Sequence, residues 1–572
     1  MTQPKLKYTN ENTMTSCSFK NLSLKYPNLS LLALCLLAAI HLLALPASGE
    51  TNLVPGKYKT IQETIDHSKP GDIVLVKSGT YRERIRLGKG ITARSAGDDT
   101  KGKLGLKRAE VTILDHPDGK GPGVTMAEGA TLDGFTITGV GQYDDAKWKK
   151  HHATQGNMQS HEHIGQPGTP GIEARHDCLV TNNIVHHIGY TGIGITGAKD
   201  RKVSPRIIGN ICYRNMGGGI GSMAGSTALI ENNVCFENFY AGIGHNGASP
   251  IVRGNDCYRN IRAGIGISEG SCPTVTKNRC HDNLRAGIGI RTGEDTRPVV
   301  EDNDCFDNRM AGIGAEEEAR PIIRGNRCRD NKLAGIGSRH EARPEIMGNE
   351  CIGNGAAGIG VEDGTVAKIV GNLCKANKTA GIGVRQHAEA TLTNNRILDN
   401  GSVAIGVRNG SKIIAKKNTL SRKGGMPPLV AILDNSQATL IDNDLIGGGV
   451  AGVLLQGNAM VKNNRFHGNG PRKGGPPNFA IWVRESSEVT FSNNQVKGWR
   501  HALFASKAKQ VTASDNQVRA FLGTALVIRD SEKPATVTGN RAFSDDPKAQ
   551  AIEITVPKAE VTGNRVEKIP KK

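Results

Sequence analysis

Five of the sixteen histidines fall within residues 141–177, at His151, His152, His161, His163 and His176, and His186 and His187 follow shortly after. Two chemistries suit the side chains of this stretch, GQYDDAKWKKHHATQGNMQSHEHIGQPGTPGIEARHD. Imidazole and carboxylate donors at Asp144, Asp145, His161, Glu162 and His163 suit zinc, copper or iron, and Met158 adds a soft donor for copper. Alternatively, a lysine or histidine at the edge of a glycan cleft neutralises a uronate carboxylate while another removes the proton at C5, as elimination or epimerisation requires. A base that titrates near neutrality favours histidine. Lys149, His151, His152 and His187 are therefore the candidate catalytic groups and Lys150 a candidate substrate contact. Asp144, His161, Glu162 and His163 are the candidate metal ligands. A third reading makes the stretch a polar lid with exposed histidines. The His-Glu-His spacing does not choose among the three, because alternate residues of any extended segment share a face. No cofactor is fixed by these residues; calcium, zinc and copper are the candidate divalent metals.

Such a segment can act only if a scaffold holds it, and the surrounding sequence is a repeat. Cys212, Cys235, Cys257, Cys280, Cys305, Cys328, Cys351 and Cys374 recur every 22 to 25 residues, each within Asn-x-Cys-x-x-Asn. An apolar stretch such as PIVRGN or PIIRGN precedes each motif and AGIGI or AGIGV follows it. The asparagine column continues from Asn183 to Asn564 after Cys gives way to Ile397, Leu420, Leu445, Phe466, Val496, Val518, Ala542 and Val566. That exchange asks for a buried apolar group at the position, not for a thiol. Helical repeats are longer, and the Leu-x-x-Leu-x-Leu frame of a leucine-rich repeat is missing. The period fits a parallel β-helix whose coils stack at about 4.8 Å, with about 17–20 coils in all.

Alternation along AGIGI puts Ala241 and Ile243 inward and Gly242 and Gly244 outward. The asparagines are expected at corners, in left-handed geometry, pairing their amides from coil to coil. The cysteines are expected as buried free thiols, since β-carbons stacked at coil spacing stand farther apart than a disulfide prefers. Cys178 and Cys272 lie off the column. Eleven residues after each Cys position stand Asn246, Ser268, Arg291, Glu316, Arg339, Glu362, Arg385 and Arg408. Stacked, these form a ladder of alternating charge. Beside a bare glycine strip, Arg291, Arg339 and Arg385 are also candidate contacts for an acidic polymer, since guanidinium binds carboxylate bidentately. Aromatics are scarce at these positions, which argues against stacking on neutral sugars.

With these motifs, the chain resembles the right-handed parallel β-helix repeat proteins of the pectin lyase-like superfamily, including its NosD-like and carbohydrate-binding, sugar-hydrolysing repeat groups. The segment YKTIQETIDHSKPGDIVLVKSGTYRERIRLGKGITARSAG, residues 58–97, is similar to the family's N-terminal cap and first coil. The resemblance implies an all-β, single-stranded right-handed β-helix with an N-terminal cap. It leaves activity open, because the superfamily holds lyases, hydrolases, epimerases, esterases and noncatalytic members. The aspartate constellation of pectin hydrolases and the calcium pattern of pectate lyases are missing, and Gly79-Thr80-Tyr81-Arg82-Glu83 belongs to the shared cap.

Composition agrees with an elongated array. Glycine accounts for 72 of 572 residues, aromatics for only 4%, and the formal charge is +19. A basic body attracts acidic partners; an acidic polysaccharide is the expected one. Nucleic acid is not expected, because the positive charge is dispersed among carboxylates. The apolar run LSLLALCLLAAIHLLAL at 29–45, followed by PASGE, predicts export with residues 1–49 as signal peptide or membrane anchor, and no other stretch is long enough to span a membrane. The expected divisions are residues 50–140 for the cap and first coils, 141–177 for the insertion, 178–420 for regular coils and 421–572 for less regular ones. The chain is expected to be a monomer. Its function is read as binding an acidic polysaccharide and processing it as a lyase, epimerase or glycoside hydrolase; the alternatives are a periplasmic metal-handling accessory protein and a noncatalytic surface scaffold.

Overall fold

The computed structural model describes residues 49–570 apart from 100–101, 117–118, 157–167, 198–199, 477 and 486. The apolar run at 29–45 therefore lies outside the described residues, as do Met158, His161, Glu162 and His163. Three strands make one coil. In one turn they are Ile251–Arg253, Asp256–Tyr258 and Ile265–Ser268. Each pairs in parallel with its equivalents one coil before and after, so three sheets run through the described coils. The first of them holds 21 strands, slightly more than the coils expected from sequence.

One apolar face per strand, repeated in register, is what closes this fold. Val252, Cys257 and Ile265 point into the interior and are fully buried. Their equivalents do the same from coil to coil, and Cys374 stacks directly on Ile397. All eight ladder cysteines are buried and free, and desolvation holds the Cys235 thiol well above the ordinary thiol range. Cys178 and Cys272 are free as well, the first buried and the second exposed.

The corners are held by asparagine amides. The Asn278 side chain donates to Val252 O at 2.9 Å and to Asn303 Oδ1 at 2.9 Å, and its own oxygen accepts from the Asn255 backbone N–H and amide, both at 2.9 Å. This pattern satisfies every polar atom of a group with almost no exposure to water. A second amide column, Asn215 through Asn400, repeats it at the next corner. The expected backbone geometry shifts by one position. The left-handed residue is the one before each asparagine, as at Gly254 (φ 65°), Lys277 (φ 55°) and Asp302 (φ 55°). The preceding residue makes the turn, so that the asparagine can aim its amide along the column.

A short helix, Ile61–Asp66, buries Ile61, Thr64 and Ile65 at the N-terminal end, as the cap resemblance implied. Thr60 caps it by accepting from Glu63 N. Two further helices, Lys107–Val111 and Asp145–Ala153, lie outside the coils. The second begins the histidine-rich insertion, which leaves the coil between Thr136–Thr138 of the second sheet and Ile172–Ala174 of the third. Among the described residues no helix is long and apolar enough to cross a membrane.

Candidate functional site

The AGIG motif builds a groove on the outer face of the third sheet. Its second glycine faces out: a β-carbon added to Gly244 or Gly314 would meet nothing within 4 Å. In-register pairing carries this bare column from Gly194 to Gly406. The first glycine does not face out as alternation predicts. A β-carbon on Gly264 would stand 2.8 Å from Gly287 O and 2.9 Å from the Asn283 amide, so this position is closed by the next coil. The corner turn resets the alternation there. Ala241, Ala263 and Ala286 consequently face outward and line the groove, while Ile243 is buried as expected.

The groove has a volume of about 470 Å³ and runs from Pro170 to Arg339. Seven steps separate the rungs of Ile172 and Ile336, a length of roughly 34 Å at the spacing of paired strands. One wall is the corner column Tyr190, Tyr240, Arg262, Arg285 and Met310. The opposite wall includes Arg175, Asn246, Ser268, Arg291, Glu316 and Arg339. The two tyrosines stand in the corner wall, outside the ladder and glycine positions where aromatics are scarce.

Positive charge is concentrated in the middle. Arg262 is 7% exposed, with its guanidinium 5.6 Å from the Tyr240 ring. Its pKa is pulled down to about 9, first by burial and then by the charges of Arg285 and Arg291. Burial and Arg291 lower Arg285 too. At neutral pH these groups remain cations, and they make this section of the groove strongly basic. Burial raises the Tyr190 and Tyr240 phenols above their ordinary range, so at neutral pH they are donors. Toward the far end the charge is neutralised within the protein, Arg339 pairing with Glu316 at 2.8 Å. Beyond the groove Arg385 pairs with Glu362 at 2.7 Å.

The insertion helix braces the wall from behind. Trp148 is 4% exposed and packs on Phe239, Ile261 and Leu284, the residues immediately before Tyr240, Arg262 and Arg285. Its indole donates to Glu237 O at 2.8 Å, and Arg214 lies over the ring at 3.7 Å. The Arg285 guanidinium donates to Gly156 O at 2.8 Å. In each corner pair the first residue therefore faces the helix and the second the groove.

None of the histidines and lysines of this helix lines the groove. Lys149 is ion-paired with Asp145 at 2.6 Å, and Lys150 lies in the last turn of the helix. His152 stacks on Trp148 at 4.8 Å, and burial lowers its pKa. His151 packs edge-on against Phe239 at 4.9 Å, and burial, followed by Lys147 and Lys150, lowers its pKa. His187 sits at a corner of the second sheet with its Nδ1 2.7 Å from that of His186. Burial lowers the pKa of both, that of His186 to about 4. Asp144 caps the helix by accepting from Lys147 N at 2.8 Å. Among the described residues no group of three or more His, Cys, Asp or Glu side chains could hold a metal ion. Of the expected groups, then, Arg291 and Arg339 lie in the groove and Arg385 continues their column. Arg175, Tyr190, Tyr240, Arg262 and Arg285 escaped sequence reasoning. For Tyr240, Arg262 and Arg285 the signal was the residue just before Ala-Gly-Ile-Gly, which reads Tyr, Arg, Arg, Met, Leu, Ala, Thr along the chain and is held to no one letter.

The family model described as right handed beta helix region matches residues 161–295, 274–420 and 428–566. The chain belongs to this family of right-handed parallel β-helices. No curated protein matches it. Among solved structures it is similar to the A-module of the Azotobacter vinelandii mannuronan C-5 epimerase AlgE6, with 14% identity over 72% of this chain and 95% of that one and a TM-score of 0.34. The periplasmic alginate epimerase AlgG gives 13% identity over 62% and 80%, with a TM-score of 0.35. The PL6 family alginate lyase AlyGC gives 10% over 91% and 100%, with a TM-score of 0.30. At these identities the likeness is one of fold.

Proposed function

We propose that the chain binds an acidic polysaccharide along the glycine floor of the third sheet. The observation that carries this reading is the cluster of Arg262, Arg285 and Arg291 in one wall-to-wall section of the groove, with Arg262 nearly buried. Guanidinium groups gathered along one cleft can engage carboxylates spaced along an extended chain through bidentate, charge-assisted hydrogen bonds. The floor without side chains accepts a linear polymer lying along the molecular axis. Arg175 and Arg291 flank it, Tyr190 and Tyr240 offer hydroxyl donors, and Arg339 and Arg385 extend the rim. Export, which the apolar run at 29–45 supports, would place the chain where such polymers occur.

Binding is the function this geometry supports best. Proton abstraction needs a base, and the carboxylates of the groove, Glu173 and Glu316, are ion-paired with Arg175 and Arg339. His245 lies beneath the floor, fully desolvated and bonded through Nδ1 to Ser222 Oγ at 2.6 Å. If Lys149, His151, His152 or His187 acts in catalysis, it does so from outside the groove described above.

Titration calorimetry of the purified protein with oligouronates and with neutral oligosaccharides of equal length tests the reading. Oligouronates are expected to bind with an affinity that falls steeply with salt, and neutral chains not to bind the groove. Arg262→Met should weaken oligouronate binding roughly 10- to 100-fold, the loss of one charge-assisted contact, with little change in melting temperature. Equal binding by Arg262→Met and the parent would remove the proposal. Rising absorbance from unsaturated uronates on incubation with alginate or pectate would add elimination chemistry to it.

A further inference from the structure

We infer that the same outer face carries a second carbohydrate contact, a platform of Trp482 and Phe504 that stacks on pyranose rings of a long polymer already seated in the arginine groove. The inference rests on the groove reading. It comes from following one column of the third sheet. Gly406 pairs in register with Ala431, then come Leu454, Trp482, Phe504 and Val527. The position that is glycine for ten rungs thus becomes a large apolar or aromatic side chain on the same face.

Trp482 and Phe504 are only partly buried. Phe479, 5% exposed, packs against both, with ring centroids at 5.3 Å from Trp482 and 4.9 Å from Phe504. The rings are therefore held in place, at low entropic cost to a ligand. Guanidinium groups lie near both, Arg484 at 5.1 Å from the indole and Arg529 at 5.8 Å from the phenyl, each also paired with a carboxylate, Glu485 and Glu553 respectively. A flat aromatic face bordered by cations suits a sugar ring bearing carboxylate, whose C–H face packs on the ring while its charge turns to the arginine.

Continuity argues for one occupant. Six steps separate the rung of Ile336, where the groove ends, from that of Ile481, about 29 Å. Gly360, Gly383, Gly406, Ala431 and Leu454 floor the interval, so a linear chain leaving the groove crosses Leu454 and then meets the platform. A short oligomer fills the groove and stops before it.

The chain contains three tryptophans, and Trp148 and Trp499 are 4% and 1% exposed, so Trp482 dominates quenching of fluorescence by acrylamide. A polyuronate of more than about twenty sugars should protect Trp482 from acrylamide, and a pentamer should not. Trp482→Leu should weaken the long polymer about 2- to 10-fold and leave the pentamer unchanged, with Trp482→Tyr restoring most of the loss. Polymer binding through the groove with unaltered Trp482 quenching, or an unchanged affinity in Trp482→Leu, overturns the platform alone. Loss of binding neither to pentamer nor polymer in Arg262→Met overturns the groove reading and the platform with it. Protection of Trp482 that grows with protein concentration without glycan assigns the face to a second copy of the chain and overturns the proposal.

Discussion

Asn278 and Cys280 show how differently two residues of one motif contribute. The Asn278 amide fills four hydrogen-bonding positions among three coils, and its removal strands donors of Asn255 and the carbonyl of Val252 in a place without water. Asn278→Ala is expected to destabilise by about 2–5 kcal/mol, read from the urea midpoint, because unmade buried hydrogen bonds cost more than made ones gain. Cys280→Val keeps the burial and adds about one methyl group, as at the equivalent Val496 and Val518, and should cost less than about 1.5 kcal/mol. His245 belongs to this scale too. Burial lowers its pKa to about 3, against 6.5 for a free imidazole. The folded protein therefore cannot take up a proton that the unfolded chain accepts, and stability present above pH 6.5 is lost as the pH falls from there toward 3. His245→Leu should flatten this acid limb in melting temperatures taken between pH 7 and 4.

At the scale of elements, the insertion helix and the groove wall form one device. Trp148→Ala removes the wedge against Phe239, Ile261 and Leu284. In a solenoid each coil depends chiefly on its neighbours, so the effect should stay local. Hydrogen exchange is expected to quicken at residues 239–240, 261–262 and 284–285 and to remain unchanged in coils 366–420. Unchanged exchange at those corners would mean that the helix merely rests on the wall. The contrast also explains what could be read from the sequence. Asn, Cys and Ile recur because every coil asks the same thing of those positions, and the strands, corners and core follow from that recurrence. The walls of the groove differ from coil to coil, so Tyr240, Arg262 and Arg285 form a column that becomes visible only once the corner turn is known. Trp482 and Phe504 were hidden by irregular spacing: 30 residues separate Asn464 from Asn494, and the intervening loop obscures their register with the glycines. The insertion's histidines drew attention by their number, yet packing, through His152 on Trp148 and His151 on Phe239, accounts for two of them.

At the scale of the whole molecule, the two ends of the described coils differ. The helix Ile61–Asp66 covers the first rung, whereas Val561 and Val566 in the final rungs are 47% and 38% exposed. Exchange is therefore expected to be fastest at residues 560–567, slowing over the next few coils inward. The glycine column has a larger consequence. One turn contributes one position of floor and one of each wall, and every turn repeats the same rise. Splicing a whole additional turn into the regular region would advance the far part of the track by a single increment while leaving each local environment intact. Under the proposed function, the reach along a polymer is set by how many turns are stacked, and a preference for chain length could be adjusted in whole-number steps.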